Sequence, residues 1–375
     1  MAAEIKTPVN DQFAFSSCVA SDIFHASKSR KGYEWWYFDA LSDDGRDGVV
    51  IIFLDNFIFS PRYNAPENSK FRIRSLFRNS LNNSPATDEK VPAVAFVYYR
   101  DGKPQYRAIN EFSEDAFFGD TENPECRIGN NHFKFESAPY GSGYTIQINA
   151  KLRKNRTIEA QFEWLSIESD FLPGKNSDLE KRHFWNLVAP RSDVSGRITV
   201  SGKNGNKLDV VHFRGTGYHD HNLDNRWLPS TVEDWQWGRA HFNDSTAVFY
   251  RYREIGSTNS VTKLMTVRNG ELRERDAGLS EENYSRHIFG IKYPQRMTFI
   301  TEDNMRLRIK QTRLIDASFF YLRFLSEMTL TLRDGKPRKT VGITEHLAPK
   351  ALKLRWLDWL INMRIGKKGK GAFLP

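Results

Sequence analysis

The chain has 375 residues, room for two domains of ordinary size, and its 27% charged and 39% apolar residues exclude a disordered polymer. Its net charge of +9 comes with no zinc-finger, RNP aromatic or helix-turn-helix pattern, so nucleic acid is not the expected partner. Cys18 and Cys126 are too few and too far apart for a disulfide framework or a cysteine metal site.

Aromatic residues make up 13% of the chain, which favours β-structure or a roomy apolar cavity. Met1 to Phe15 shows no basic region followed by an apolar core, so no secretory signal is read there. Val49 to Leu54 reads as a buried strand after the Asp43-Asp44-Gly45 turn. The apolar run continues to Phe59 but is broken by Asp55 and Asn56, and is too short to span a bilayer. The expectation is a cytoplasmic protein.

Ala93 to Tyr99 is the next strand, closed by Asp101-Gly102. Asn131 to Ser137, Gly143 to Ala150 and Ile158 to Leu165 follow, separated by turn chemistry. A charged stretch, Lys175 to Arg182, precedes His183 to Pro190 and suggests a seam near residue 192. Beyond it Gly196 to Ser201, Leu208 to Phe213, Ser245 to Tyr252, Val261 to Arg268 and Met297 to Ile300 keep the same rhythm. Strands so spaced, without long helical periods between them, predict an all-β, antiparallel chain of sandwich or barrel domains. The division expected is 1–192, 193–348 and a tail of 349–375.

That tail differs in kind. Leu352, Trp356, Trp359, Leu360 and Met363 fall at helical spacing within Ala351 to Ile365, between Pro349 and Gly366, with basic residues in the remaining positions. An amphipathic helix is expected, either capping a barrel or lying on an anionic membrane surface.

The chemistry-bearing residues concentrate in Gly215 to Asn222 and Asp234 to Arg239, with a second block at Tyr33 to Phe38. If Tyr218 to His221 is a strand, Tyr218 and Asp220 share one face and His219 and His221 the other. His183 and Trp185 likewise share a face, giving an inner wall of Asp220, His183, Tyr218 and Trp185. A carboxyl walled by rings can stay protonated at neutral pH, and ring faces can stabilise a neighbouring cation. Asp220 and His221 can also serve as plain hydrogen-bonding residues of a strand corner. Trp235 and Trp237 share a face and can line a cavity. Glu34 is either a second buried carboxylate or a partner for Arg239, and Glu345-His346 is a further acid–imidazole pair. His219-x-His221 offers a metal pair, but Asp224 stands where a longer Glu is needed and the glycine spacing does not match such a site, so no metal is expected. No phosphate loop, GxSxG or dinucleotide fingerprint is present, which leaves acid–base catalysis or cavity-templated rearrangement without a cofactor.

Glu34 to Phe38, His183-x-Trp185, Gly217 to Asn222 and Trp235-x-Trp237-Gly238 together resemble the carotenoid 1,2-hydratase (hydroxyneurosporene synthase) and AttH-like family, to which tocopherol-cyclase-like proteins and fungal Diels–Alderases are related. The resemblance implies two lipocalin-like β-barrels with a substrate cavity between them. It marks Asp220 as proton donor, with His183, Trp185 and Tyr218 as its companions; Glu34, Trp35, Trp36, Trp235, Trp237 and His221 are the expected cavity residues. Leu223-Asp224 departs from the Trp-Gly that follows His-Asn in the family. The expected substrate is a hydrophobic terpenoid or carotenoid-like polyene, to be hydrated or cyclised. A pericyclase and a non-catalytic lipid carrier are the alternatives.

Overall fold

The computed structural model describes residues 13–26, 29–65, 89–139, 141–172, 183–333 and 335–374. The charged stretch Lys175 to Arg182, and most of Met1 to Phe15, lie outside the described residues.

The chain is almost entirely antiparallel β-structure. The first strands are β1 (Phe13–Ser16), β2 (Tyr33–Ser42), β3 (Asp47–Leu54), β4 (Ala93–Arg100) and β5 (Lys103–Glu111). They are followed by β6 (Phe117–Gly119), β7 (Glu125–Ile128), β8 (Asn131–Ala138), β9 (Gly141–Lys151) and β10 (Thr157–Glu168). Two long strands, β11 (His183–Ser201) and β12 (Lys207–Asp224), complete a twelve-stranded sheet ordered β5-β4-β3-β2-β12-β11-β10-β9-β8-β7-β6, with β1 paired to β11. After the one-turn helix α1 (Leu228–Thr231), a closed eight-stranded barrel takes β13 (Val232–His241), β14 (Thr246–Glu254), β15 (Val261–Arg268), β16 (Glu271–Arg286), β17 (Lys292–Thr301), β18 (Arg306–Ala317), β19 (Tyr321–Thr331) and β20 (Pro337–Leu347).

The all-β expectation holds, with two corrections. Only the second body is a closed barrel; the first sheet curls without closing. Its curl brings β5 towards β9, where the Asn110 side chain bonds both the N–H and the C=O of Lys151. The second correction concerns the seam. Residue 192 falls inside β11, which pairs with β12 along most of its length, and the passage to the barrel comes between Asp224 and Val232. Pro190 misled because the strand bulges between Ala189 and Ser192, where a missing N–H does little harm.

Each body fills its own interior. Trp36, Phe38, Phe53, Phe96, Phe133 and Trp164 pack inside the curled sheet. Phe249, Phe299, Leu264, Met297, Leu307 and Leu330 fill the barrel. A third apolar cluster joins the outer face of the sheet to the outer wall of the barrel through Tyr33, Trp35, Tyr37, Trp185, Tyr218, Trp235, Trp237 and Tyr250.

The C-terminal segment corrects a further expectation. Ala351 to Ile365 is not one helix: tight turns at Pro349–Lys353 and Arg355–Leu357 precede a short α2 (Asp358–Met363). Leu352, Leu357 and Ile365 are buried, while Trp356 and Trp359 face outward. Past α2 the chain joins the free edge of β5, where Gly366 receives the Glu111 N–H and donates to the Ile109 carbonyl. No helix of the described residues is long and apolar enough to cross a membrane.

Candidate active site

Strand pairing builds the site. In antiparallel strands, directly paired residues point to the same side of the sheet. β12 pairs with β2 so that Asp220 lies opposite Tyr37, Tyr218 opposite Asp39 and Asn222 opposite Trp35, while β11 sets Trp185 against Asn222. These residues form the outer face of the sheet. On the barrel, Trp237 pairs with Glu345 and Glu345 with Arg323, and Trp235 pairs with Leu347. The two rows meet across a cavity of about 220 Å³, lined mainly by rings and aliphatic side chains. Its polar lining includes Asp220, Asn222, Glu345 and Arg323, with Arg107, Asp316 and Arg364 further round.

Asp220 is buried and densely held. Its Oδ2 accepts the Tyr218 hydroxyl at 2.7 Å and the Trp185 indole N–H at 3.0 Å, and its Oδ1 accepts the Asn222 amide at 2.9 Å. Trp237 donates to the Tyr218 hydroxyl at 3.1 Å, which fixes the direction of that relay. Burial raises the Asp220 pKa, and the donations from Tyr218 and Trp185 oppose it only in part; the carboxyl sits at about 7. It is therefore an acid that still carries its proton near neutrality.

Of the four residues of the expected wall, Asp220 alone lines the cavity. Trp185 and Tyr218 touch Asp220, yet both are fully buried and hold the carboxyl from behind the cavity surface. His183 stands one residue further back. Its Nε2 meets the Tyr250 hydroxyl, and Asn222 lies between it and Asp220. Burial pushes its pKa down to about 3, so the imidazole is neutral. It does not reach the cavity.

Of the expected cavity residues, Trp35, Trp235 and Trp237 line it. Glu34, Trp36 and His221 do not, because strand alternation turns them into the interior of the curled sheet. There Glu34 Oε1 lies 2.8 Å from both His25 Nδ1 and His221 Nε2, and His221 Nδ1 lies 3.1 Å from Asp22 Oδ1. His219 Nε2 lies 2.9 Å from Asp22 Oδ2, which also accepts the Tyr144 hydroxyl at 2.6 Å. Trp36 stacks on the His221 ring. Burial alone would raise Asp22 and Glu34, but the facing histidines outweigh it and hold both at about 2. Burial would lower His221, and the two carboxylates instead raise it to about 9. An imidazolium clamped between two carboxylates is the result. His25, Glu34 and His221 offer ligand atoms within 4.8 Å of one another. Their 2.8 Å contacts are shorter than the roughly 3.3 Å between ligands on tetrahedral zinc, so a cation would have to spread them.

Arg239 does not meet Glu34. It pairs with Asp39 at 2.8 Å, and Arg323 grips the other Asp39 oxygen at 2.8 Å. Arg323 also bonds Glu345 and the Tyr37 hydroxyl, and Tyr37 donates to Glu345 at 2.9 Å. Burial raises the Glu345 pKa, against the pull of Arg323. In the sequence Glu345 stands out only as half of an acid–imidazole pair, and Arg323 not at all. The sole signal for Arg323 is an arginine amid apolar residues in Tyr321–Thr331.

Residues 166–373 match the family model of the carotenoid hydratase CrtC. The chain belongs to that family. Membership places it among enzymes of the hydratase type. Over 92% of its length it is 25% identical to a hydroxyneurosporene dehydrogenase of Chlorobaculum tepidum, of which 90% is covered. It is 26% identical to an acyclic carotenoid 1,2-hydratase of Thiocapsa roseopersicina over 65% of this chain and 53% of that one. Among solved structures, a protein of Nitrosomonas europaea assigned as AttH shares the fold with a TM-score of 0.57 at 16% identity, covering 88% of this chain and 95% of that one.

Proposed function

We propose that the protein adds water to a terminal double bond of a carotenoid-like polyene by acid–base chemistry, with Asp220 as the acid. One observation carries this reading: a carboxyl on the wall of an apolar cavity, buried among indole and phenol rings, with a pKa raised to about 7. Such a group exists as a proton donor at neutral pH without contact with bulk water. The names of the two relatives point to different reactions, and a protonated carboxyl supports water addition because that reaction begins with proton transfer.

Oδ2 accepts two donors and Oδ1 only the Asn222 amide, so Oδ1 is the oxygen left to carry the proton. The alkene π pair takes that proton at the less substituted carbon, forming a C–H bond and leaving a tertiary cation. The faces of Trp35, Trp235 and Trp237 stabilise the cation. A water molecule then forms the C–O bond, and its surplus proton passes to a carboxylate. Glu345 is suited to accept it, standing on the barrel wall where Tyr37 and Arg323 hold it. His183 was expected among the companions of the acid; its burial behind Asn222 supports a positioning role.

The test is Asp220→Asn, assayed side by side for product formation and ligand affinity with a candidate acyclic carotenoid. Asn keeps the shape, and the Asn222 amide can turn to meet it. The expected outcome is a loss of turnover of about 10²–10⁴-fold with affinity nearly unchanged. Turnover retained in the variant would overturn the assignment. A modest slowing alone is the signature of cavity-templated pericyclic chemistry.

A further inference from the structure

The C-terminal segment has two faces that serve different partners. On its inner side Leu360, Ile361, Arg364 and Ile365 form part of the cavity wall. On its outer side Trp356 is 66% and Trp359 60% exposed. Large indoles that exposed on a folded chain are uncommon, since each forfeits much of its possible burial.

Trp356 is not isolated. The Trp356 ring lies 6.4 Å from that of Phe319, on the β18–β19 connection, and Phe319 lies 4.5 Å from Phe289. Phe289 adjoins Ile288, which is 88% exposed between β16 and β17. Phe319 and Phe320 also line the cavity. Three separate connections therefore contribute to one apolar rim beside the cavity.

Charge around that rim is mostly positive, although Lys350 is paired with Glu233 and Lys367 with Glu111. Residues 349–374 hold seven Lys and Arg against one acid, Asp358, which is itself paired with Arg355 at 3.0 Å. Lys353, Lys368 and Lys370 are exposed on this segment, and Arg286 and Lys292 are exposed beside Ile288. A soluble protein partner would have to match both indoles and this cationic ring. An anionic bilayer does so without further design, because indoles favour the headgroup level and cations the lipid phosphates.

We propose that this rim docks on an anionic lipid bilayer, with Trp356, Trp359 and Ile288 inserted at headgroup level. The cavity then opens against the membrane. At about 220 Å³ it falls below the roughly 300–1,000 Å³ of pockets that bury a drug-sized ligand. It therefore takes one end of a long polyene while the remainder stays in the lipid. That last step, the bilayer as substrate source, rests on the hydratase reading; the docking does not.

The experiment is co-sedimentation of the full chain with vesicles of phosphatidylcholine alone or mixed with phosphatidylglycerol, at low and high salt. Binding is expected to the mixed vesicles and to weaken with salt. Ile288→Ser/Trp356→Ser/Trp359→Ser should reduce partitioning about tenfold or more. Thermal unfolding and turnover of detergent-dispersed substrate should be unchanged in that variant, while turnover of vesicle-borne substrate falls. No partitioning of the wild type, or equal partitioning of the variant, overturns the proposal. So does self-association of the wild type that the triple variant abolishes, without vesicle binding, since the rim would then be a protein contact. Vesicle binding needs no turnover, so its failure and that of Asp220 as acid are told apart.

Discussion

At the scale of single residues, Asp220 shows how burial and hydrogen bonding compete for one proton. Desolvation favours the neutral acid, whereas donors from Tyr218 and Trp185 favour the anion, and burial prevails. Because the protonated form is the active one under the proposed chemistry, kcat should fall as pH rises through about 7. Tyr218→Phe removes a donor to the anion, so the inflection should move upward, while a purely structural role for the hydroxyl would leave it in place. A pH–rate profile of both proteins checks this. The linkage runs the same way. With a folded pKa raised above the ordinary 3.8, the group's stabilising contribution is complete below about pH 4 and is lost as pH rises through about 7.

At the scale of elements, β12 is the strand that does two jobs. Its even residues, Tyr218 and Asp220, face the barrel, and its odd residues, His219 and His221, face the packed interior of the sheet. Gly215 is required because a Cβ there would stand 2.0 Å from the Leu41 carbonyl oxygen of the neighbouring strand. The interior cluster has its own pH limits. The depressed pKa values of Asp22 and Glu34 mean stability lost as pH falls from about 4 through 2, and the raised value of His221 means stability lost as pH rises through 9. Replacing His221 with Leu leaves two buried carboxylates without their shared cation. A loss of about 3–5 kcal/mol is expected by urea unfolding at pH 7, where the wild-type cluster is intact.

At the scale of the whole molecule, the cavity exists only because two separately packed bodies, a curled sheet and a closed barrel, are pressed together by their outer faces. Asp39 of the sheet is gripped by Arg239 and Arg323 of the barrel, and all three are buried. Asp39→Ala strands two guanidinium groups in that contact. It should lower stability by about 3–5 kcal/mol, and loosen Glu345 along with Arg323. Urea unfolding and kcat measured together check this: a stability loss without any effect on kcat would separate the bridge from the site. The tail completes the assembly, since it joins the β5 edge through Gly366 and walls the cavity through Leu360 and Ile361.

Short β-branched and aromatic runs between turn residues determined the all-β class and the strands from Val49 to Leu54 onward, and period-two alternation determined the shared face of Tyr218 and Asp220. Those are properties of adjacent residues, and a strand's side chains alternate whatever lies around it. Charged strands such as β16 escaped notice because a barrel wall exposed on one side tolerates Glu and Arg at alternate positions. The tail's helical spacing was legible, but packing against β5 and the cavity broke it into turns and left Trp356 and Trp359 outside. Tertiary structure alone decided which face of β2 and β12 would meet the barrel. That choice sent Glu34, Trp36 and His221 into the sheet interior and brought Glu345 and Arg323, more than a hundred residues further along the chain, to the cavity of Asp220. The reason is physical: alternation defines two faces, and only the partner that covers a face says which one it is.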